Sequence, residues 1–404
     1  MTDNKVLITG LGAISAAGAN LTVTLDSFRD GKRNAGRVSL FDTSLEYPVF
    51  EARGISEKFY LEGRRTISLA LCAVDEALKG AQLVVDLPTG QAGSTQRGDD
   101  LSKFRVGVCM GTTVASQLND MEFYKSYRNS GAAPMEPADR YLKGNLAEFI
   151  SRKINASGPS LTIVNACSSG TDAIGVALSW LNNGLCDIAV AGGADELNRI
   201  PLCGFGSLGI VSRDLCAPFD RDRKGLNLGE GAGVLVLETK HSAQKRGKAS
   251  GLYLLGYGSS SDAYHLTSPH PEGVGLAASI NKALKESGIK PDDVIFVNAH
   301  GTATIENDKV EGKVLANIFG PGLKMLSTKG FTGHTLGAAG GLEAVFTAAA
   351  LQEGWIPASI GFSNKDDAIP VVPVMEMTKI NGRFALSTSL AFGGNNAALL
   401  LGRL

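Results

Sequence analysis

The sequence has almost no net charge: 39 Lys and Arg stand against 40 Asp and Glu in 404 residues, a formal balance of −1. A chain built for the phosphate backbone needs a positive excess, so nucleic acid is excluded as its main partner. Long apolar runs are also missing. The most apolar stretch, Leu336 to Leu351, is interrupted by Glu343 and falls short of the ~20 residues a membrane span needs. The opening Met1-Thr2-Asp3-Asn4-Lys5 lacks the basic start and apolar core of a secretory signal. Cysteines are few and scattered, at 72, 109, 167, 186, 203 and 216, with no CxxC metal or redox pair. A cytoplasmic protein with reduced thiols, no metal site and no membrane insertion is the expectation.

Glycine is what the chain has in excess: 50 residues, about 12% against a usual ~7%. With 44% apolar and 20% charged residues, the composition is that of a folded protein whose backbone makes many tight turns and close approaches. The length favours two core units or one large one. Strand-like segments recur at 105–110, 160–166, 187–191, 233–238, 252–257, 293–298, 384–388 and 397–401. Helical spacing covers 64–79, 171–182 and 274–287, and this alternation predicts layered α/β structure. Gly10-Leu11-Gly12 follows a strand-sized Val6 to Thr9; Ser15 holds the third glycine position of a dinucleotide fingerprint. A tight strand-to-turn glycine pair is the reading. Residues 88–102 read as a polar surface loop.

One internal echo concerns chemistry. Ile163-Val164-Asn165-Ala166-Cys167 and Phe296-Val297-Asn298-Ala299-His300 share a buried strand, Asn-Ala, then a reactive residue, and read as equivalent positions of two related halves. Cys167 precedes a small-residue helix, where the positive end of the dipole favours a thiolate and free amides can hold an oxyanion. Only five histidines exist, at 241, 265, 270, 300 and 334. His300 and His334 both sit in Gly/Thr-rich turns, with Lys329 shortly before His334 and Glu343 shortly after it. One thiol and two imidazoles in such turns suit nucleophilic acyl chemistry.

These residues resemble the β-ketoacyl-acyl-carrier-protein synthases, elongating condensing enzymes of the thiolase-like superfamily. The resemblance spans nearly the whole chain and rests on blocks in order: Asn165 to Gly170, Ala217 to Gly225, Gly229 to Glu238, Asp262 to Pro269, Asn298 to Thr302, Lys329 to Gly340 and Phe392 to Asn395. It implies a thiolase-like layered α/β fold of two halves, 1–250 and 251–404, with mixed five-stranded sheets around buried helices. It implies Cys167 as the acyl-accepting nucleophile and His300 and His334 as the pair acting on a malonyl thioester. Lys329 would support the second histidine, with Glu343 as its carboxylate partner. Phe392 would gate the acyl pocket and share an oxyanion hole with the Cys167 amide, beside Gly393 and Gly394. Thr302 and Thr304 would bind the pantetheine arm, with Asp262 and His265 on a second gating loop. Arg64, Arg65 and Arg213 fall near positions that meet an acyl carrier protein. No cofactor is implied beyond the carrier's phosphopantetheine. The partner is a second copy or a chain-length-factor-like subunit, with the strand before Cys167 near the interface.

The sequence also departs from the family pattern. Lys224-Gly225-Leu226-Asn227 stands where Asp-Gly-Phe-Val is common, which predicts a reshaped pocket wall at Leu226, and Ala391 stands where Gly is frequent. Met110 to Ser116 and residues 121–131 are expected to line the distal acyl pocket. A catalytic subunit of a type II polyketide or polyene system is the alternative reading. A non-catalytic partner subunit would lack Cys167. A thiolase would carry a second cysteine in the loop that here reads Ala391-Phe392-Gly393-Gly394, and a Cys–His acyl hydrolase would need no malonyl donor.

Overall fold

The computed structural model of the chain describes residues 5–84, 99–113, 121–142 and 145–404. The first half is built from β1 (Val6–Ser15), helix α1 (Arg65–Gly80), β2 (Val106–Gly111), β3 (Ser160–Ile163), α2 (Ser169–Asn182), β4 (Ile188–Asp195), α3 (Arg199–Ser207) and β5 (Gly231–Thr239). The second contains β6 (Leu252–Ser261), α4 (Val274–Ser287), β7 (Val294–Asn298), α5 (Ile305–Phe319), β8 (Met325–Leu326), α6 (Ala339–Glu353), β9 (Phe384–Ala391) and β10 (Asn395–Arg403).

Strand order exposes the duplication. The first half runs β3-β2-β4-β5-β1 and the second β8-β7-β9-β10-β6. In each, the three strands at the far end pair in parallel and the two pairings nearer the joint are antiparallel, in the same sequence of senses. The halves join where β1 meets β6 through only Val6–Leu254 and Leu7–Tyr253. The echo of Asn-Ala motifs does not mark this duplication. Cys167 leaves β3, the third strand of its half, whereas His300 leaves β7, the second strand of the other. The topological counterpart of β3 is β8, which leads to Ser327-Thr328-Lys329.

Helices α2 and α6 each touch strands of both halves and each other, so they form the central layer. Their sequences permit it: α6 is buried from Ala339 through Leu351 and reads Ala, Gly and Thr at most contacts. A helix apolar on all sides belongs in an interior. The helices meet at glycine, where a Cβ on Gly170 would stand 2.7 Å from Gly341 N and one on Gly340 2.0 Å from Thr171 Oγ1. Helix α1 covers β1, β5 and β4 from outside, and α4 covers β6 and β10.

The glycine pair near the N-terminus is not a turn. Strand β1 continues through both residues, and a Cβ at Gly10 or Gly12 would meet the Ala77 or Ala73 carbonyl of α1 at 1.9 or 2.0 Å. The missing side chains let the helix lie on the strand. Of the expected loop 88–102, Asp99–Asp100 pairs with Leu83–Val84 and Leu101–Lys103 forms a 3-10 turn; 88–98 lies outside the described residues.

Candidate active site

Cys167 sits in the turn between β3 and α2. Ala166 before it adopts φ +48°, a conformation a side-chain-bearing residue holds only when its surroundings enforce it. The enforcing contacts run to Asp172 on the first turns of α2. Its carboxylate accepts from Asn165 Nδ2 at 2.6 Å, Ser168 Oγ at 2.8 Å and the Tyr257 hydroxyl at 2.7 Å. Burial and the adjacent carboxylate push the Tyr257 phenol up from its ordinary range, so at neutral pH it keeps its proton and donates it to Asp172.

The thiol is buried and faces a cavity of about 230 Å³ lined also by His300, His334, Phe205, Leu226, Thr302, Thr304 and Phe392. His334 Nε2 lies 3.0 Å from Cys167 Sγ. The His300 and His334 rings stand 5.3 Å apart and nearly perpendicular. Lys329, ion-paired with Glu343, lies 3.1 Å from His300 Nδ1 and donates to the His300 carbonyl at 2.6 Å. Lys329 therefore contacts the first histidine directly, while its charge acts on both histidines. An ammonium can only donate, so Nδ1 of His300 accepts and its proton sits on Nε2.

Burial dominates the electrostatics. It pushes the Cys167 thiol up to about 12, opposed by Lys329 and by the Phe392 amide, which hydrogen-bonds to the sulfur. The expected resting thiolate is thus reversed, because desolvation of a charged sulfur outweighs the helix terminus. Burial, with the Lys329 charge second, holds both His300 and His334 well below the usual imidazole range. Burial also lifts Glu343 to about 7 against the pull of Lys329.

Glu311 on α5 was not singled out in the sequence, yet it fixes the His300 turn. It accepts from the amides of His300 and Gly301, both at 2.8 Å, and from Thr388 Oγ1 at 2.7 Å. A glutamate six residues into a helix that begins at Ile305 gives no signal until the backbone it serves is known. Phe205 on α3 was also missed; it stacks on Phe392 at 5.3 Å and meets His334 edge-on at 6.5 Å.

The remaining candidates divide. Thr302 and Thr304 share a 2.8 Å hydroxyl hydrogen bond on the cavity wall. Gly393 and Gly394 adopt φ +85° and +79° and are tied to the neighbouring loop, Gly393 N to Leu266 O and Asp262 N to Gly394 O. Asp262 lines the cavity and accepts from the amides of His270 and Gly275. His265 does not reach the cavity: it is exposed, and its Nδ1 accepts from the Thr267 and Ser268 amides. Arg65 is turned inward, with Nε 2.8 Å from the buried Glu230 carboxylate and Nη2 donating to Ala52 O. It is spoken for by the fold, not presented to a partner. Arg64 lies over the Phe149 ring and the exposed Arg213 over Tyr47. Leu226 lines the cavity, as does Ala391. Met110 is instead packed in the core of the first half, and Val114 to Ser116 lie outside the described residues.

The comparisons with known proteins bear on this arrangement. The family model "Beta-ketoacyl synthase, N-terminal domain" matches residues 3–243, and "Beta-ketoacyl synthase, C-terminal domain" matches 253–363. The chain is 32% identical to a 3-oxoacyl-[acyl-carrier-protein] synthase 2 of Staphylococcus aureus over 99% of both chains. It is equally identical to the Synechocystis protein of that name, over 99% of this chain and 98% of the other. Among solved structures, the ishigamide ketosynthase/chain length factor superposes with TM-score 0.90 at 30% identity, over 99% of both chains. A ketosynthase solved with its chain length factor from Xenorhabdus doucetiae gives TM-score 0.80 at 30% identity, over 99% of this chain and 98% of that one. Family models that together cover both halves, and relatives matched end to end, lead to one conclusion: the chain belongs to the β-ketoacyl synthase family.

Proposed function

We propose that the chain condenses an acyl group with malonyl-acyl-carrier protein, with loss of CO₂, to give a β-ketoacyl product. The observation that carries the reading is the convergence of Cys167, His334 and His300 on one buried cavity, with the Lys329–Glu343 pair behind His300. Cys167 Sγ attacks the acyl thioester carbonyl. Since the thiol is protonated at rest, His334 Nε2 is placed to take its proton as the carbon–sulfur bond forms. The Phe392 amide stabilises the oxyanion with the Cys167 amide, and the carrier's thiol departs.

The malonyl thioester then enters along Thr302 and Thr304, which bind the phosphopantetheine arm. His300 donates a hydrogen bond from Nε2–H to the thioester oxygen, with His334, now in its Nε2–H tautomer, as second donor. That oxygen becomes negative as CO₂ leaves, and the enolate carbon attacks the acyl-Cys167 carbonyl. The tetrahedral intermediate collapses by breaking the acyl–sulfur bond, so that Cys167 leaves as a thiolate and takes up a proton to restore the thiol. Phe392 on Phe205 gates the acyl side, and Gly393–Gly394 permits its movement. Arg64 and Arg213 meet the acidic carrier protein. The halves divide at 250/251, and the enzyme works in the cytoplasm; among the described residues no helix is long and apolar enough to cross a membrane.

A second reading, a polyketide or polyene ketosynthase paired with a chain-length-factor-like subunit, is favoured by the two 30%-identical neighbours described with such a factor. Intact-protein mass spectrometry tests both. Saturated acyl-carrier protein should label the chain, Cys167→Ala should abolish the adduct, and His300→Ala should keep it while losing malonyl decarboxylation by about 100-fold or more. An adduct that survives Cys167→Ala refutes the nucleophile. Extension by two carbons with the chain alone supports a fatty-acid elongating homodimer. Labelling by polyenes, or turnover only with a second subunit, supports the polyketide reading.

A further inference from the structure

We propose that Arg33 is a positioning residue for the Lys329–His300 pair, an inference that rests on the condensation reading above. Arg33 follows the helix Leu21–Arg29, far from the cavity in sequence, and does not line it. Its guanidinium nevertheless reaches beneath the lysine. Nε donates to Gly330 O at 2.8 Å and Nη2 to Cys216 O at 2.7 Å. The Cys216 thiol in turn donates to Lys329 O at 3.4 Å. Two consecutive carbonyls of the lysine turn are thus held from one side. The other side is closed, because a Cβ at Gly330 would meet Ile360 O at 2.4 Å.

The second histidine is anchored by Asn227 and not by Arg33. Asn227 Oδ1 accepts from the Cys216 amide at 2.7 Å, its Nδ2 donates to Ser212 O and Asp214 O, and its own carbonyl accepts from the His334 amide at 2.8 Å. Asn227 belongs to the block in which this chain departs from the family pattern, so this chain holds its Cys216 segment through a polar side chain. Arg33 suits its post because a planar fork offers several N–H groups in fixed, divergent directions, which an ammonium cannot do. Lys329 Nζ must stand where His300 Nδ1 accepts it, because that contact sets the tautomer presenting Nε2–H to the cavity. The Cys167 turn is held separately, through Asp172.

The two half-reactions should therefore separate. Arg33→Met removes the N–H donors while keeping an unbranched, apolar filler. Malonyl-carrier-protein decarboxylation, read as CO₂ release, should fall about 10- to 100-fold, the cost of misplacing a catalytic group by about 1 Å. Acyl transfer to Cys167, read by intact mass, should stay within about threefold of wild type. Millimolar methylguanidinium should restore part of the decarboxylation in Arg33→Ala. Arg33→Lys, which keeps the cation without the fork, should show the same split in milder form, and decides the matter if the other variants fail to fold. Equal loss of both half-reactions in Arg33→Lys, or loss of neither, overturns the proposal. A wild-type enzyme that is acylated but releases no CO₂ instead refutes the condensation reading itself.

Discussion

At the scale of single residues, burial decides more of this site than charge does. His300 and His334 are neutral in the folded protein because water is excluded and Lys329 lies close. In the unfolded chain each returns to an ordinary value near 6.5. Below that pH the unfolded state takes up protons that the native state refuses, so native stability is full above about 6.5 and declines on acidification. One buried imidazole accounts for about 1.4 kcal/mol lost by pH 5.5. Glu343, raised to about 7, works in the opposite direction, so the test must be differential. Between pH 7.5 and 5.5, wild type should lose about 1.4 kcal/mol more in urea-unfolding free energy than His334→Asn, since Glu343 is common to both. Parallel pH profiles would mean that His334 titrates normally.

The reactive residues themselves were legible in the sequence, since thiols and imidazoles are rare here and these stand in small-residue turns. Their protonation states were not. Neither desolvation nor the contact of Lys329 with His300 can be read from spacing, because both depend on what packs around a side chain. Glu311 and Arg33 act mainly on backbone groups distant in sequence, so nothing in their own sequence context betrays them.

At the scale of elements, periodicity located most of the strands and the long helices, but it could not distinguish a glycine that turns from one that yields space. Gly10 and Gly12 yield space to α1, and the crossing of α2 with α6 uses the same device. The two-residue strand β8 escaped because it is too short to show any period. A Cβ on Gly341 would stand 2.5 Å from both Gly193 N and Gly233 O, backbone atoms of β4 and β5 that cannot rotate aside. Gly341→Ala should therefore cost about 1–3 kcal/mol or more, although alanine is the better helix former. Gly36, where an added Cβ meets nothing within 4 Å, serves as the control, with Gly36→Ala within about 0.5 kcal/mol of wild type. Urea midpoints check both, and a neutral Gly341→Ala would mean that the central helices slide apart freely.

At the scale of the whole molecule, the duplicated halves differ at their free edges. The second half covers its edge strand with its own chain: Met325 and Leu326 are buried, and the Val374 amide donates to Met325 O. Among the described residues no strand pairs with the outer edge of β3, and Leu161 on it and Val164 just beyond it are 42% and 67% exposed. An uncovered edge carrying apolar side chains invites another chain, and here it lies immediately before the turn that holds Cys167. Association through β3 is therefore expected, and it should support the nucleophile's turn as well as bury apolar surface. Val164→Asp should weaken that association by about 10- to 100-fold, the effect of losing an interface anchor, and condensation should fall with it. Sedimentation across a concentration series reads the first effect and acyl transfer to Cys167 the second. If wild type is monomeric alone but associates with a chain-length-factor-like subunit, and Val164→Asp blocks that pairing, the edge belongs to a heterodimer. If Val164→Asp changes neither assembly nor turnover, the exposed edge has another purpose, and the symmetry of the two halves is broken for a reason other than pairing.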